Sequence, residues 1–165
     1  MRPTWDQLFI KIAQEVSERS TCARLKVGSV LVRDNRIISM GYNGSAEGLD
    51  HCIDHWNDHY KNNTKHNSFL EFLKSDEFYK LHHKWAETHE IHSEQNVIAF
   101  SAKNGIETND SILYVTYSPC IHCAKIISQA GIKEVKYLNK YDRENEGIKF
   151  LENCNICCTQ IFQGE

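Results

Sequence analysis

Apolar residues recur along the chain at helical and strand spacings and predict an alternation of helices and strands. Over residues 3–20 they lie three or four positions apart, which places them on one face of a helix. These positions are Trp5, Leu8, Phe9, Ile12, Ala13 and Val16. Residues 26–32 and 37–40 have strand patterns, and Asp34 and Asn35 between them favour the turn of a hairpin.

The second half of the chain alternates between three further helices and three strands. Helices are predicted over 92–103, 119–130 and 144–152, and strands over 111–117, 134–138 and 156–162. Gly105 and Gly131 follow two of the helices and are typical of helix C-caps. Such alternation predicts an α/β fold, a three-layer α/β/α sandwich, and we expect one domain over 1–165.

The periodicity is lost between about residues 45 and 88. This stretch is polar and rich in His, Asn and Asp, with short aromatic clusters at Phe69, Phe72, Phe78 and Tyr79. We interpret it as a long insertion with one or two short helices and too few apolar residues to hold itself. Loops of this length in a compact domain are either functional or held in place.

The composition and net charge of the chain argue against several classes of protein. The 165 residues are 41% hydrophobic, which suits a packed domain and not a disordered chain. The net charge of −3 argues against a protein that mainly grips a nucleic-acid backbone, although a local basic pocket could still hold one phosphate. No apolar run is long enough to span a membrane and no signal-peptide layout is present, so we expect a cytoplasmic protein without a membrane partner. Its seven cysteines are then expected to be metal ligands or buried thiols.

Two short fragments carry the candidate chemistry, His-Ser-Glu at 92–94 and Pro-Cys-Ile-His-Cys at 119–123. Cysteines at positions i and i+3 lie on one face of a helix, so both sulfurs can reach one ion. Catalytic zinc takes three protein ligands and keeps a position for water. His92, Cys120 and Cys123 form such a set, and the start of a helix stabilises thiolates.

Glu94 lies two residues beyond His92 and can enter the same pocket without binding the metal. Zinc lowers the pKa of water, and a carboxylate is needed to take the water's proton and deliver it to the substrate. The combination of H-x-E with P-C-x-x-C is the signature of zinc deaminases. The alternative is a structural zinc with His122 as fourth ligand, but such a site does not require H-x-E before an apolar helix.

These motifs and segments in both halves make the chain resemble the deoxycytidylate (dCMP) deaminases of phages, bacteria and eukaryotes. The matching segments are 26–28, 36–38, 41–44, 116–120 and 129–132. The N-terminal segments matter because deaminases of free cytidine, guanine and tRNA adenosine share the zinc motif. The resemblance implies the cytidine-deaminase α/β/α fold with a mixed sheet.

The resemblance also implies the reaction and its control. It implies zinc-dependent hydrolysis of dCMP to dUMP and ammonia, which would supply thymidylate synthesis. It further implies activation by dCTP and inhibition by dTTP, with Mg²⁺ accompanying these effectors, and assembly as a homohexamer. Glu94 would move the proton in this reaction.

Carried over by position, the expected substrate-binding residues are Asn43, Arg24, Lys26, Ser118, Tyr117 and Tyr141. Asn43 would contact the nucleotide near the sugar, although an Asn-Gly pair equally suits a turn after a strand. Arg24 and Lys26 are candidates for phosphate contacts, and surface solvation is the alternative. The two tyrosines would wall the pyrimidine or else belong to the core.

The chain departs from the family pattern at two places. Ser93 stands where the family usually has alanine, and we expect this to affect only local packing. Residues 153–156 replace a more usual Ala-Gly-Ile turn. We interpret the nearby Cys154, Cys157 and Cys158 as thiols around the last strand, and not as a third metal site.

Larger phage members carry an insertion tied down by a second, structural zinc. The resemblance implies that the matching ligands here are Cys22, Cys52, His82 and Glu90, all competent to bind zinc. The alternative is that the cysteines are buried thiols and His82 a surface residue. His83 or His89 could also substitute as the histidine ligand.

Two rival functions use the same residues differently. A tRNA-adenosine deaminase, or another nucleic-acid or nucleoside deaminase, would share the zinc ligands and Glu94, but the acidic balance and the match at 41–44 speak against it. A regulator that only binds dCTP or dTTP would have no need of Glu94. The sequence leaves open whether a 5-methyl or 5-hydroxymethyl base is also accepted.

Overall fold

A five-stranded mixed sheet forms the centre of the protein in a computed structural model that describes residues 2–63, 65–141 and 145–162. Its strands are β1 Gly28–Arg33, β2 Arg36–Tyr42, β5 Ile112–Tyr117, β6 Glu134–Asn139 and β7 Cys157–Gln160. Two short strands, β3 Gly44–Ser45 and β4 Glu90–Ile91, form a separate pair. The helices are α1 Trp5–Ser17, α2 Cys52–Asn63, α3 Phe69–Leu73, α4 Asp76–His89, α5 Ser93–Lys103, α6 Ile121–Gln129 and α7 Glu146–Asn153. No helix among the described residues is long and apolar enough to cross a membrane.

The sheet has the order β2-β1-β5-β6-β7. Strands β2, β1 and β5 pair antiparallel, whereas β5, β6 and β7 pair parallel. The β1–β2 turn uses Asp34 and Asn35 with φ of 51° and 57°, the left-handed conformation that a two-residue hairpin requires. The predicted hairpin is therefore confirmed.

Helices cover both faces of the sheet because neighbouring residues on each strand point to opposite sides. Val30 and Val32 pack with α1, while Leu31 belongs to the core formed with α5, α6 and α7. This arrangement confirms the predicted three-layer α/β/α class with a mixed sheet. Strands β1 and β5 are buried on both faces, which explains their nearly continuous apolar sequence.

An ion pair fastens the start of α1 to the sheet. Lys136 Nζ lies 2.8 and 2.9 Å from the two Asp6 oxygens, and the Tyr114 hydroxyl donates to the same carboxylate at 2.6 Å. Burial raises the pKa of Asp6, but the hydrogen bonds from Lys136 and Tyr114 outweigh it and lower the pKa below its usual value. The sequence patterns did not indicate this contact, because its members lie far apart in the chain.

Replacing Asp6 with asparagine is expected to lower stability by about 1 kcal/mol at pH 7, a small value because the carboxylate is partly exposed. A carboxylate whose pKa is lower in the folded than in the unfolded protein stabilises the fold at pH values above its unfolded pKa of about 3.9. This stabilisation is lost as the pH falls through the folded pKa. Unfolding temperatures from pH 7 to pH 3 would check this: the difference between wild type and variant should shrink below about pH 4. A constant difference across that range would contradict it.

The insertion is better ordered than the sequence suggested. Its described residues form three helices, α2, α3 and α4, whereas one or two short ones were expected. Trp56, Phe72 and Phe78 form a separate buried cluster together with Cys22 and Cys52, and the expectation that the insertion has too few apolar residues to hold itself stays a prediction. A few aromatic rings bury enough area to make a small core, and the many polar residues around them hide their spacing.

Several predicted boundaries differ from the observed ones. Helix α1 starts only at Trp5 because Thr4 is the N-cap, with its side chain accepting from the Gln7 amide. The helix predicted from Glu144 is observed from Glu146, and Glu144 lies outside the described residues. The β3–β4 pair was not predicted; it joins Ser45 to Glu90 and so places the segment before His92 beside the end of β2.

Candidate active site and two candidate metal centres

Three side chains converge where α5 and α6 begin. His92 is the N-cap of α5, Cys120 is the N-cap of α6, and Cys123 lies in the first turn of α6. The His92 Nδ1 atom lies 3.4 Å from the Cys123 sulfur and 3.6 Å from the Cys120 sulfur. Tetrahedral zinc with bonds of about 2.0–2.3 Å separates such ligands by about 3.5–3.8 Å, so this three-ligand cluster fits zinc.

The three-ligand cluster is open on one side. Cys120 and Cys123 are buried, whereas His92 is exposed. An open side leaves room for water and substrate, which is the arrangement of a catalytic zinc site. His122, the alternative fourth ligand, is exposed and does not belong to the cluster.

The cluster stabilises a thiolate. Hydrogen bonding with Cys123 is the main cause that lowers the pKa of Cys120 to about 3. The hydrogen bond between the two cysteines is also the main cause that raises the pKa of Cys123. The hydrogen bond between His92 and Cys120 raises the pKa of His92 to about 9. The protons held by the metal-free site would leave on metal binding, because thiolates and neutral imidazole are the ligating forms.

Glu94 lies beside this cluster and is almost completely buried, with 4% of its surface exposed. Burial is the main cause that raises the pKa of its carboxyl group. The Ser93 hydroxyl donates to Oε2 of Glu94 at 3.0 Å, and Glu94 is within hydrogen-bonding reach of Cys123. A buried carboxyl with a raised pKa next to a metal site suits a group that both takes and gives a proton.

Glycine allows the close packing that fixes the cysteines. A Cβ on Gly147 of α7 would lie 2.1 Å from the Pro119 carbonyl oxygen and 2.8 Å from the Cys120 carbonyl carbon. The backbone of α7 therefore rests directly on the start of α6. Any side chain at this position would push Cys120 away from its place.

Replacing Gly147 with alanine is expected to destabilise the fold by at least about 2 kcal/mol, because the methyl group meets backbone atoms that cannot give way cheaply. The shift of Cys120 should also weaken zinc binding. Urea unfolding and a zinc competition titration would measure the two effects. Wild-type values in both would show that α7 does not hold the cysteine loop.

A second set of ligands lies between the insertion and the rest of the domain. It consists of Cys22, Cys52, His82 and Glu90, whose ligand atoms are all within 4.8 Å of one another. His82 Nε2 lies 3.4 Å from each of the two sulfurs and 3.7 Å from Glu90 Oε1. This four-ligand cluster also has spacings close to those of tetrahedral zinc.

The four-ligand cluster is closed and contains an orphaned polar atom. His82 is 2% exposed, and Glu90 Oε1 is buried without a hydrogen-bond partner. Burial would lower the pKa of His82, but the hydrogen bond with Cys22 and the nearby negative charge of the Glu90 carboxylate raise it to about 9. The hydrogen bond with Cys52 lowers the pKa of Cys22 to about 6. A cation would satisfy both the thiolate and the carboxylate oxygen.

The structure places the other candidate histidines and cysteines outside both clusters. His83 pairs with Glu87 at 3.3 Å, and His89 stacks on Trp85. Cys154 and Cys157 are exposed, and burial raises the pKa of Cys158 to about 12. Within the described residues, none of them joins a metal-ligating group.

Asn43 holds the loop between α1 and β1. Its Oδ1 accepts from the Ser20 hydroxyl at 2.7 Å and from the Val27 amide at 2.8 Å, and its Nδ2 donates to the Leu25 carbonyl at 2.8 Å. We call these three hydrogen bonds the Asn43 clamp; they join residues on both sides of the loop, a role beyond the turn after a strand that the Asn-Gly pair suggested. The Asn43 clamp fixes the backbone of the loop that carries Arg24 and Lys26.

Arg24 and Lys26 each have a protein partner. The Arg24 guanidinium lies 5.1 Å from the centre of the Tyr79 ring in α4, and Lys26 pairs with Glu18 at 2.6 Å. Arg24 therefore bridges the loop and the insertion. Lys26 is half exposed, as a solvated surface charge would be.

Ser118 connects two loops next to Cys120. Its amide donates to the Asn139 carbonyl at 2.8 Å, and its hydroxyl accepts from the Tyr141 amide at 2.8 Å. Ser118 is buried, while Tyr117 and Tyr141 are half-buried. Tyr117 ends β5 and Tyr141 lies in the segment after β6, so both come from segments next to the cysteine helix, and their contact with a base stays a prediction.

Comparison with known proteins agrees with this geometry. A family model described as "Cytidine and deoxycytidylate deaminase zinc-binding region" matches residues 3–139. The deoxycytidylate deaminase of Enterobacteria phage T4 is 38% identical over 163 residues, covering 89% of this chain and 84% of the relative. ComE operon protein 2 of Bacillus subtilis is 35% identical over 160 residues, covering 97% and 72%.

A solved structure is similar over nearly the whole chain. The crystal structure of dCMP deaminase from the cyanophage S-TIM5 in complex with dCMP and dUMP has a TM-score of 0.73 and 28% sequence identity. The match covers 98% of this chain and 99% of the cyanophage chain. The insertion therefore lies within the matched length.

Proposed function

Since the chain belongs to the cytidine and deoxycytidylate deaminase zinc-binding family, we propose that it hydrolyses dCMP to dUMP and ammonia. The observation that carries this proposal is the open three-ligand cluster with the buried Glu94 beside it. The choice of dCMP is supported by the T4 relative, which is a deoxycytidylate deaminase, and by the cyanophage structure with dCMP and dUMP.

His92, Cys120 and Cys123 would hold the catalytic zinc. When bound, zinc supplies a Lewis acid that lowers the pKa of water to about 7. Glu94 takes up the two protons of the attacking water in turn, passing the first to N3 of the ring and the second, from the new hydroxyl on C4, to the departing amine. A C4–O bond forms, the bond from C4 to the amine nitrogen breaks, and the products are dUMP and ammonia.

The four-ligand cluster would hold a second, structural zinc. Its ligands come from four separate parts of the chain: the loop after α1, α2, α4 and β4. Three of them are buried, so no position is left open for a substrate. Its role would be to tie the insertion to the loop after α1 and to the segment before His92.

The nucleotide would lie between the loop after α1 and the start of α6. Asn43 has a second amide N–H beyond the one bonded to Leu25, and this donor would contact the sugar. Arg24 and Lys26 would contact the phosphate. Tyr117, Ser118 and Tyr141 would line the side of the base.

The family resemblance supports further proposals about control and assembly. Activation by dCTP and inhibition by dTTP, each with Mg²⁺, would match supply to demand if dUMP feeds thymidylate synthesis. The protein would act in the cytoplasm as a homohexamer. Size-exclusion chromatography with light scattering, and dCMP assays with each effector, test these proposals separately.

A substrate panel tests the choice of dCMP against the rival substrates. Loss of cytosine absorbance would be followed for dCMP, CMP, cytidine and 5-hydroxymethyl-dCMP, with and without dCTP and Mg²⁺, and inosine formation in tRNA would be measured alongside. We expect kcat/KM for dCMP to exceed that for cytidine on the order of 100-fold, since the phosphate adds charge-assisted hydrogen bonds. Turnover of tRNA but of no cytosine monophosphate would overturn the proposal.

A further inference from the structure

Ser93 separates His92 from Glu94 and presents its hydroxyl to the carboxylate. The side chain is fully buried, and Oγ lies 3.0 Å from Glu94 Oε2. The hydrogen bond that joins Ser93 to the sheet involves its backbone and not its side chain: the Ser29 hydroxyl donates to the Ser93 carbonyl at 2.9 Å. Removing the Ser93 hydroxyl would therefore remove the bond to Glu94 and leave the backbone bond to Ser29 in place.

We infer that Ser93 is a positioning residue that holds the Glu94 carboxyl group in the orientation needed for proton transfer, an inference that rests on the proposed function. The last torsion of a glutamate side chain is broad, so an unrestrained carboxyl group samples many orientations. A donor fixed to Oε2 selects one of them. The other oxygen, Oε1, is then the one that takes and delivers the proton.

The same hydrogen bond can persist through the reaction. Ser93 donates to Oε2 when Glu94 is a carboxylate, and it still donates to Oε2 as a carbonyl oxygen when the proton resides on Oε1. The carboxyl group therefore does not have to reorient between accepting the proton and giving it away. Burial strengthens the bond, because both side chains are shielded from bulk solvent.

A matched serine exists on the same helix. Ser101 of α5 is also fully buried, and its hydroxyl donates to the Val97 carbonyl at 2.8 Å. Both serines lose a buried hydroxyl on replacement by alanine, yet only Ser93 contacts Glu94. The pair separates the effect on Glu94 from the general effect of removing a buried hydroxyl.

The test compares Ser93→Ala with Ser101→Ala in the zinc-loaded protein. We expect Ser93→Ala to lower kcat for dCMP about tenfold, the value of one hydrogen bond to a charged group. Its KM should stay within about twofold of wild type, because positioning acts on the chemical step and not on substrate binding. Zinc content and unfolding temperature should match those of Ser101→Ala, which should keep the wild-type kcat.

Three results would overturn the inference. These are an unchanged kcat in Ser93→Ala, an equal loss in Ser101→Ala, or a loss accompanied by lower zinc content or a lower unfolding temperature than in the control. If wild-type protein with full zinc content deaminates no cytosine nucleotide, the proposed function itself fails. The two failures are thereby distinguished.

Discussion

Replacing Glu94 with alanine is expected to lower kcat for dCMP on the order of 10³- to 10⁴-fold while zinc stays bound. General acid–base catalysis by a single side chain contributes about this much. Zinc should remain because its proposed ligands are His92, Cys120 and Cys123, and Glu94 is not part of that cluster. The measurements are initial rates from ultraviolet absorbance and zinc content by mass spectrometry.

Two variants sharpen this prediction. Glu94→Gln keeps the size of the side chain and should lose as much turnover as alanine, since the amide cannot carry the proton. Glu87→Ala removes an exposed carboxylate of α4 and should change neither rate nor zinc content. Turnover within tenfold of wild type in the Glu94 variants would show that another group moves the proton.

Replacing Cys52 with serine is expected to reduce bound zinc from two ions to one per chain and to lower the unfolding temperature by about 10 °C. Removing one partner from a buried charged set costs roughly 3–5 kcal/mol, and each kcal/mol shifts the midpoint by about 2–4 °C at this chain length. Limited proteolysis should cut the insertion first, because Cys52 lies in its first helix.

The control for this prediction is Cys157→Ser, which removes an exposed thiol on β7 and should leave zinc content and stability unchanged. Two zinc ions in Cys52→Ser, or a wild-type unfolding temperature, would contradict the structural role of the four-ligand cluster. A metal-free wild-type protein, prepared with a chelator, should resemble Cys52→Ser in its cleavage pattern.

The two clusters share one short segment. Glu90 belongs to the four-ligand cluster and His92 to the three-ligand cluster, and only Ile91 separates them. Because β4 pairs with β3, the segment is held between the insertion and the end of β2. Loss of the insertion metal should therefore also disturb His92, so Cys52→Ser is expected to have a reduced kcat as well as a lower unfolding temperature.

Local patterns were the part of the fold that the sequence could predict. The spacing of Cys120 and Cys123 places both on one face of a helix independently of the rest of the fold. The hairpin is defined by two adjacent residues that accept positive φ, Asp34 and Asn35. The three-layer class followed from the alternation of elements. These features depend on residues close together in the chain.

The parts that sequence patterns could not predict depend on distant contacts. Cys22 and Glu90 are far apart in the chain, so only a family resemblance suggested that they share an ion. The Asn43 clamp on the loop after α1 and the Asp6–Lys136 pair have no local signature. The Ser93 hydroxyl had one possible signal, a polar side chain between two site residues, but its neighbour in space was needed to interpret it.

The most direct test of the central claim measures both products of dCMP deamination by zinc-loaded protein. Ammonia would be measured enzymatically and dUMP by chromatography, before and after removal and return of zinc. We predict equal amounts of ammonia and dUMP, loss of both on zinc removal, and recovery on zinc return. If fully zinc-loaded wild-type protein released neither product, the assignment of this site to dCMP deamination would be wrong.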